Sequence, residues 1–302
     1  MRFRHSLLDP NPHVLKSVDF SNFSDRQKFR REQMPKVEPT RMFRPPDFVK
    51  ELIAFGGYGR IFRLRDDNSR VFKCCDRDNP EAVQTIEREK NILAILGAHT
   101  SLIQLHWTTE EGLCFDYYPL GSLRNYYSAS PLPPITTRSR WCHQVADGIA
   151  FIHSKEIVHN DIGARNILIS SAFDIKICDF GSSTKVGGDV PTMPDTRYSR
   201  YRSGSPRASF LDDLFSVGSL FFEILEGQQP YEDIESDEVK NRIQSSEFPP
   251  LDALQPGYFA PVVGKCWNIL YDSIRDLQVD INSGCNPTSK GMLLGQDSKT
   301  GD

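Results

Sequence analysis

Short β-prone runs broken by turn formers open the patterned part of the chain. Val49 to Ala54, Ile61 to Leu64 and Val71 to Cys74 are three such runs, separated by Gly, Asp and Asn. Asp66-Asp67-Asn68-Ser69 reads as a hairpin turn. The spacing then becomes helical: Ala82, Ile86, Leu93 and Leu96, with charges between them, predict an amphipathic helix over 81–96. Leu102 to Trp107 and Leu113 to Tyr117 return to a strand pattern and complete a small sheet. After Pro119-Leu120-Gly121 the character changes. Trp141, Val145, Ile149 and Ile152 predict a helix over 136–153, and the apolar run 211–225 predicts a buried one. Residues 237–244 and 262–273 are further helical segments. The pattern is α+β: a small sheet with one helix, a short linker, then a mostly helical region.

The ends are different. Residues 1–46 are polar, sustain no periodicity and close on Arg44-Pro45-Pro46, so they read as an N-terminal extension. Residues 282–302, rich in Gly, Ser, Lys and Asp, read as a disordered tail. There is no internal repeat.

Composition narrows the class. With 302 residues, 38% hydrophobic and 25% charged, the chain is long enough for two lobes with separate cores. A formal net charge of -4 argues against binding nucleic acid or an anionic membrane through bulk charge. The apolar run Leu214 to Leu225 contains Glu223 and falls short of the roughly 20 residues of a membrane helix. The N-terminus leads into no apolar leader, and the seven cysteines form no regular framework. Both point to reduced thiols in the cytosol, with the nucleus left open.

The chemistry sits in two segments, His159-Asn160-Asp161-Ile162-Gly163-Ala164-Arg165-Asn166 and Asp179-Phe180-Gly181. An Asp can accept a hydroxyl proton, an Asn five positions on can hold a metal, and a second Asp can hold metal against phosphates. Upstream, Ala54-Phe55-Gly56-Gly57-Tyr58-Gly59-Arg60-Ile61 places glycines between two strands, where backbone N–H groups can approach phosphate oxygens. Taken alone, such a glycine-rich hairpin is more often only a turn. Lys73 follows on the next strand between apolar neighbours, and a cleft lysine needs a counter-charge. Glu89, four residues before Leu93 on the apolar side of its helix, can supply it; the alternative is a surface pair with Arg88 or Lys90.

In this order the motifs resemble those of eukaryotic protein kinases over about residues 48–281, and Ala164-Arg165-Asn166 is similar to the tyrosine-kinase form of the catalytic loop. The resemblance implies a two-lobed protein-kinase-like fold, with a small β-rich N-lobe (47–118) and a larger, mainly helical C-lobe (119–281). It implies ATP and Mg2+ as cofactors and a protein hydroxyl as acceptor, Ser/Thr favoured and Tyr possible. By the resemblance, Asp161 is the general base and Arg165 an accessory cation, while Lys73 and Glu89 place the phosphates. Asn166 and Asp179 would hold metal. Ala54, Gly56, Gly59 and Ile61 would line the nucleotide, Phe115 would guard the adenine pocket, and backbone groups of Asp116 and Tyr118 would bond the adenine edge. His159, Phe180 and Leu93 would form a hydrophobic spine, and Asp213 would brace the catalytic loop.

The chain departs from the family pattern at several points. Ala54 stands where a Gly is usual, and Asn160 where an Arg usually grips a phosphorylated activation loop. An amide cannot form that bidentate ion pair, so loop phosphorylation is not expected to be the main switch. The segment 182–210 suits a mobile activation loop, but Ser203-Gly204-Ser205-Pro206 stands where Ala-Pro-Glu is usual, and the Glu that would pair with a buried Arg is missing. The alternatives are therefore a nucleotide-binding pseudokinase acting as a scaffold, or a kinase of small molecules.

Overall fold

In the computed structural model the described residues are 43–285, apart from 57, 203, 205 and 206. The chain divides into two units, Met1–Arg44 and Pro45–Asp302, and the architecture below belongs to the second. Most of the expected extension, and the tail beyond residue 285, lie outside the described residues.

Five antiparallel strands form the small sheet: β1 (Val49–Phe55), β2 (Arg60–Leu64), β3 (Arg70–Cys74), β4 (Leu105–Thr108) and β5 (Gly112–Asp116), in the order β1-β2-β3-β5-β4. Helix α1 (Pro80–Leu96) lies between β3 and β4 in sequence. Asn79 caps it by accepting from the backbone of Glu81 and Ala82, and Pro80 opens it where a missing N–H costs nothing. The chain leaves the helix at Gly97, whose φ of 68° suits glycine.

One strand starts later than its sequence pattern. Residues 102–104 do not join β4: the backbone of Ser101 and Ile103 bonds Ile177 instead. That partner is distant in the chain, so the local pattern cannot reveal it.

The larger part is helical: α2 (Leu123–Ala129), α3 (Ile135–Ser154), α4 (Phe210–Glu226), α5 (Ser236–Gln244), α6 (Phe259–Trp267) and α7 (Ile274–Cys285). Between α3 and α4 run four short strands, β6 (Ile157–Val158), β7 (Ile167–Ile169), β8 (Ile175–Ile177) and β9 (Thr184–Lys185), paired as β6-β9 and β7-β8. Helix α4 is buried from Asp213 to Leu225 and forms the centre of this lobe. A Ser209–Asp212 capping box starts it and left-handed Gly227 stops it.

The helix expected over 262–273 is corrected. Helix α6 ends at Trp267, and Ile269 turns the chain with φ 53°. Helix α7 then runs to Cys285, four residues past the expected domain end at 281. Its inward positions Ile274, Leu277 and Ile281 are buried, which ties that helix to the core.

Candidate active site

Strand β3 carries Lys73 into the interior, where its Nζ lies 2.6 Å from Glu89 on α1 and 2.8 Å from Asp179. Glu89 is 1% exposed, so it takes the inward course; Lys90 pairs with Glu87, and Arg88 donates to the Gly181 carbonyl at 2.7 Å. Glu89 also accepts from the backbone N–H of Phe180 at 3.2 Å. Residues 88 and 89 thus hold both the lysine and the backbone after Asp179. The contribution of Arg88 was not legible in the sequence.

Charge in this cluster is set by competition. Burial pushes the Lys73 ammonium down, but Asp179 and Glu89 outweigh it and hold Lys73 above its ordinary value. Burial pushes Asp179 up, and Lys73 more than offsets this, leaving Asp179 below the usual carboxylate range. Lys73 is therefore a cation and Asp179 an anion at neutral pH.

The glycine-rich hairpin closes over the same lysine. Gly56 donates to the Gly59 carbonyl at 2.7 Å, Ala54 pairs with Ile61, and Ile61 pairs with Lys73. A Cβ on Gly59 would sit 3.0 Å from Lys73 Cε, so a side chain there would press on the lysine that Glu89 and Asp179 hold. Phe115 is buried on β5 opposite Val71. Asp116 stands in the ladder opposite Arg70, and its carboxylate meets His106 at 2.8 Å. Burial raises the Tyr118 phenol, and the Asp116 carboxylate adds to the rise.

Asp161 and Asn166 converge as one unit. Asn166 Nδ2 donates to the Asp161 carbonyl at 2.7 Å and to Asp161 Oδ2 at 2.9 Å. Arg165 Nη2 donates to Asp161 Oδ1 at 2.6 Å. Burial raises Asp161, and Arg165 opposes this without cancelling it. His159 packs against Phe180 with ring centroids 5.0 Å apart. Its Nε2 faces the Cys178 carbonyl and its Nδ1 accepts from the Asp161 N–H, so the imidazole is a structural spacer.

Asp213 braces this loop from α4. Its carboxylate accepts from the N–H groups of His159 and Asn160, at 2.8 and 3.0 Å, and meets His153 Nε2 at 2.9 Å. Asn160 adopts φ 63° and donates from its side chain to the Ser182 carbonyl at 3.0 Å. A neutral amide thus ties the catalytic loop to the start of the activation segment.

That segment is fastened at several points. Gly187 and Gly188 exchange backbone bonds with Ala208, and Arg197 donates to the carbonyls of Tyr231 and Ile234. Tyr198 is buried and its hydroxyl bonds Glu223, which Arg124 also grips. The segment end lacks the expected Glu, and Arg202 there meets Asp212 on α4 at 2.5 Å. The Arg124–Glu223–Tyr198 cluster was not anticipated, although a lone Glu223 inside an apolar run signals a hidden cation.

The donor set suits a hard cation. Asn166 commits its amide nitrogen to Asp161, which leaves its oxygen as a donor, and Asp179 supplies a partly exposed carboxylate. Among the described residues no group of three or more His, Cys, Asp or Glu side chains could hold a metal. Two side chains completed by substrate phosphates is the usual manner of binding magnesium.

The protein kinase domain family matches residues 11–256, and the chain belongs to that family. It is 26% identical over 264 residues to the inactive tyrosine-protein kinase kin-32 of Caenorhabditis elegans, covering 80% of this chain and 28% of that protein. It is also 26% identical over 222 residues to the serine/threonine-protein kinase PLK4 of Drosophila grimshawi, covering 66% and 28%. A third relative, the L-type lectin-domain containing receptor kinase S.1 of Arabidopsis thaliana, is 27% identical over 210 residues, covering 62% and 31%. The chain spans under a third of the length of these relatives. No helix among the described residues is long and apolar enough to cross a membrane.

Proposed function

We propose that this chain is an active ATP-dependent protein kinase that transfers the γ-phosphoryl group to protein hydroxyls, with Ser/Thr acceptors favoured. The observation that supports it most is the Lys73 ammonium held between Glu89 and Asp179. That arrangement presents a charged lysine beside a charged aspartate, as binding a magnesium nucleotide requires. Lys73 would contact the phosphates, Glu89 would fix its orientation, and Asn166 and Asp179 would hold magnesium. The backbone of Asp116 and Tyr118 would receive the adenine edge, under the hairpin of Ala54, Gly56, Gly59 and Ile61. When bound, magnesium neutralises charge on the phosphates.

The protein's own part is positioning. Asp161 would orient the acceptor hydroxyl and take its proton on a carboxylate oxygen as the bond from that hydroxyl oxygen to the γ-phosphorus forms and the bond from the γ-phosphorus to the β–γ bridging oxygen breaks, with ADP leaving. Arg165 would keep that carboxylate aimed, and Asn166 would restrain its second oxygen. The cytosol is the proposed setting, with the nucleus as the alternative.

The test is phosphotransfer from labelled ATP with magnesium to generic protein acceptors and to the protein itself, with Asp161→Asn as control. Label that appears with the wild type and vanishes in the control supports the reading. Absence of label with nucleotide binding intact overturns it in favour of a pseudokinase scaffold. Asn160 and the relative named as inactive are the observations on that side. Small-molecule acceptors in the same assay separate the third reading.

A further inference from the structure

We propose that Asp195 is a positioning residue for the reaction: its carboxylate holds the Arg165 guanidinium against Asp161, so the activation segment itself aims the proton acceptor. The inference rests on the kinase reading above.

The geometry is a bridge between two carboxylates. Arg165 Nη2 lies 2.6 Å from Asp161 Oδ1, and Arg165 Nη1 lies 3.6 Å from Asp195 Oδ2. A planar guanidinium presents two nitrogens in fixed relation, so holding one end orients the other. The Arg165 side chain is 49% exposed, and packing alone does not fix it. Its direction is set by the carboxylates at its two ends.

Asp195 is suited to be the fixed end. Its side chain caps the single 3-10 turn Thr196–Tyr198 by accepting from the Arg197 N–H at 3.2 Å, and its carbonyl accepts from the Tyr198 N–H at 2.9 Å. The residues of that turn are anchored in their own right. Arg197 bonds the carbonyls of Tyr231 and Ile234, and Tyr198 is buried against Arg124 and Glu223. Asp195 Oδ2 thus extends from a bolted turn toward a half-exposed cation. Asn166 restrains Asp161 Oδ2, which leaves Arg165 to govern Oδ1. The carboxylate aim therefore depends on a residue that need not touch substrate.

The test uses the full chain and separates charge from capping. Asp195→Asn keeps a side-chain oxygen for the cap and removes the charge; Asp195→Glu keeps the charge. With Asp195→Asn, kcat is expected to fall about tenfold while the KM for ATP stays within about twofold, and Asp195→Glu to recover part of the loss. The decisive arm is a double-mutant cycle. In an Arg165→Lys background, where no fork can bridge, Asp195→Asn is expected to change kcat by less than about twofold. Equal losses in both backgrounds, or an unchanged kcat in the single variant, overturn the inference while leaving the kinase reading intact. A single variant whose thermal midpoint drops well below that of the wild type, with kcat restored on cooling, shows a structural cap alone and also overturns it. A wild type that transfers no phosphate overturns the functional reading and this inference together.

Discussion

Both carboxylate oxygens of Glu223 are gripped by Arg124, with Nε at 2.6 Å from Oε1 and Nη2 at 3.0 Å from Oε2. The pair joins α2 to the core helix α4 and receives the Tyr198 hydroxyl as well. Glu223 is almost fully buried, whereas Arg124 is 35% exposed. The two partners are therefore not equivalent. Arg124→Met strands a buried carboxylate and is expected to destabilise the fold by about 3 kcal/mol. Glu223→Gln leaves the arginine to solvent and keeps a hydrogen-bonding group, at about 1 kcal/mol. Urea unfolding of the two variants checks the order.

The same pair has a pH signature. Burial lifts Glu223 above its ordinary value, with Arg124 opposing. A carboxyl whose folded value lies above the unfolded one contributes stability that is present at low pH and lost as pH rises through the folded value. Without Arg124 the upward displacement grows. The deficit of Arg124→Met is thus expected to shrink as pH falls from about 7 toward about 5. A deficit that widens over that range would contradict the assignment. Thermal midpoints at a series of pH values supply the measurement.

Asn166→Ala and Asp179→Asn are each expected to lower kcat more than about 100-fold and to remove the part of the nucleotide thermal shift that depends on magnesium. Phosphotransfer that survives both substitutions would sink both metal assignments. Lys73→Met leaves Glu89 and Asp179 facing each other without their cation, so its thermal midpoint should fall even without nucleotide.

Asn160 ties the catalytic loop to Ser182 through a neutral amide, so a phosphate on the segment finds no arginine at that position. Phosphatase treatment is expected to change kcat by less than about twofold. Mass spectrometry before and after treatment, paired with the label assay, gives the comparison.

The buried thiols should be slow nucleophiles. Burial pushes Cys74 up to about 12 and Cys114 up to about 11. At pH 8 their thiolate fractions are then only ~10⁻⁴ and ~10⁻³, far below that of a free cysteine. A disulfide-exchange reagent is expected to modify both much more slowly in the native protein than in guanidinium.

Much of this site was legible because its chemistry is local in sequence. Asp161 and Asn166 are five positions apart in one loop, and Glu89 reveals its direction through its distance from Leu93 along a helix. Lys73 shows itself as a charge among apolar neighbours. What the sequence concealed is long-range. Ser101 and Ile103 bond Ile177, Arg88 reaches Gly181, and Arg124 meets a glutamate on another helix. The helix expected over 262–273 failed for another reason: apolar spacing continues past Trp267 while the backbone reverses at Ile269. Periodicity records which residues are buried, and a turn between two buried segments leaves it unbroken.

Asp213 accepts two backbone N–H groups from the catalytic loop while standing on the first turn of α4, the most deeply buried helix of its lobe. Lys73, by contrast, rides on a strand of the small sheet. On the proposed function, the lysine that would contact the phosphates and the brace beneath the Asp161 loop thus ride on separate elements. Thermal motion of the sheet would then reach Lys73 first, while the backbone at His159 and Asn160 stays registered to the core helix. Variation that loosens the sheet should be felt as weaker saturation, and variation beneath Asp213 as slower turnover at full saturation.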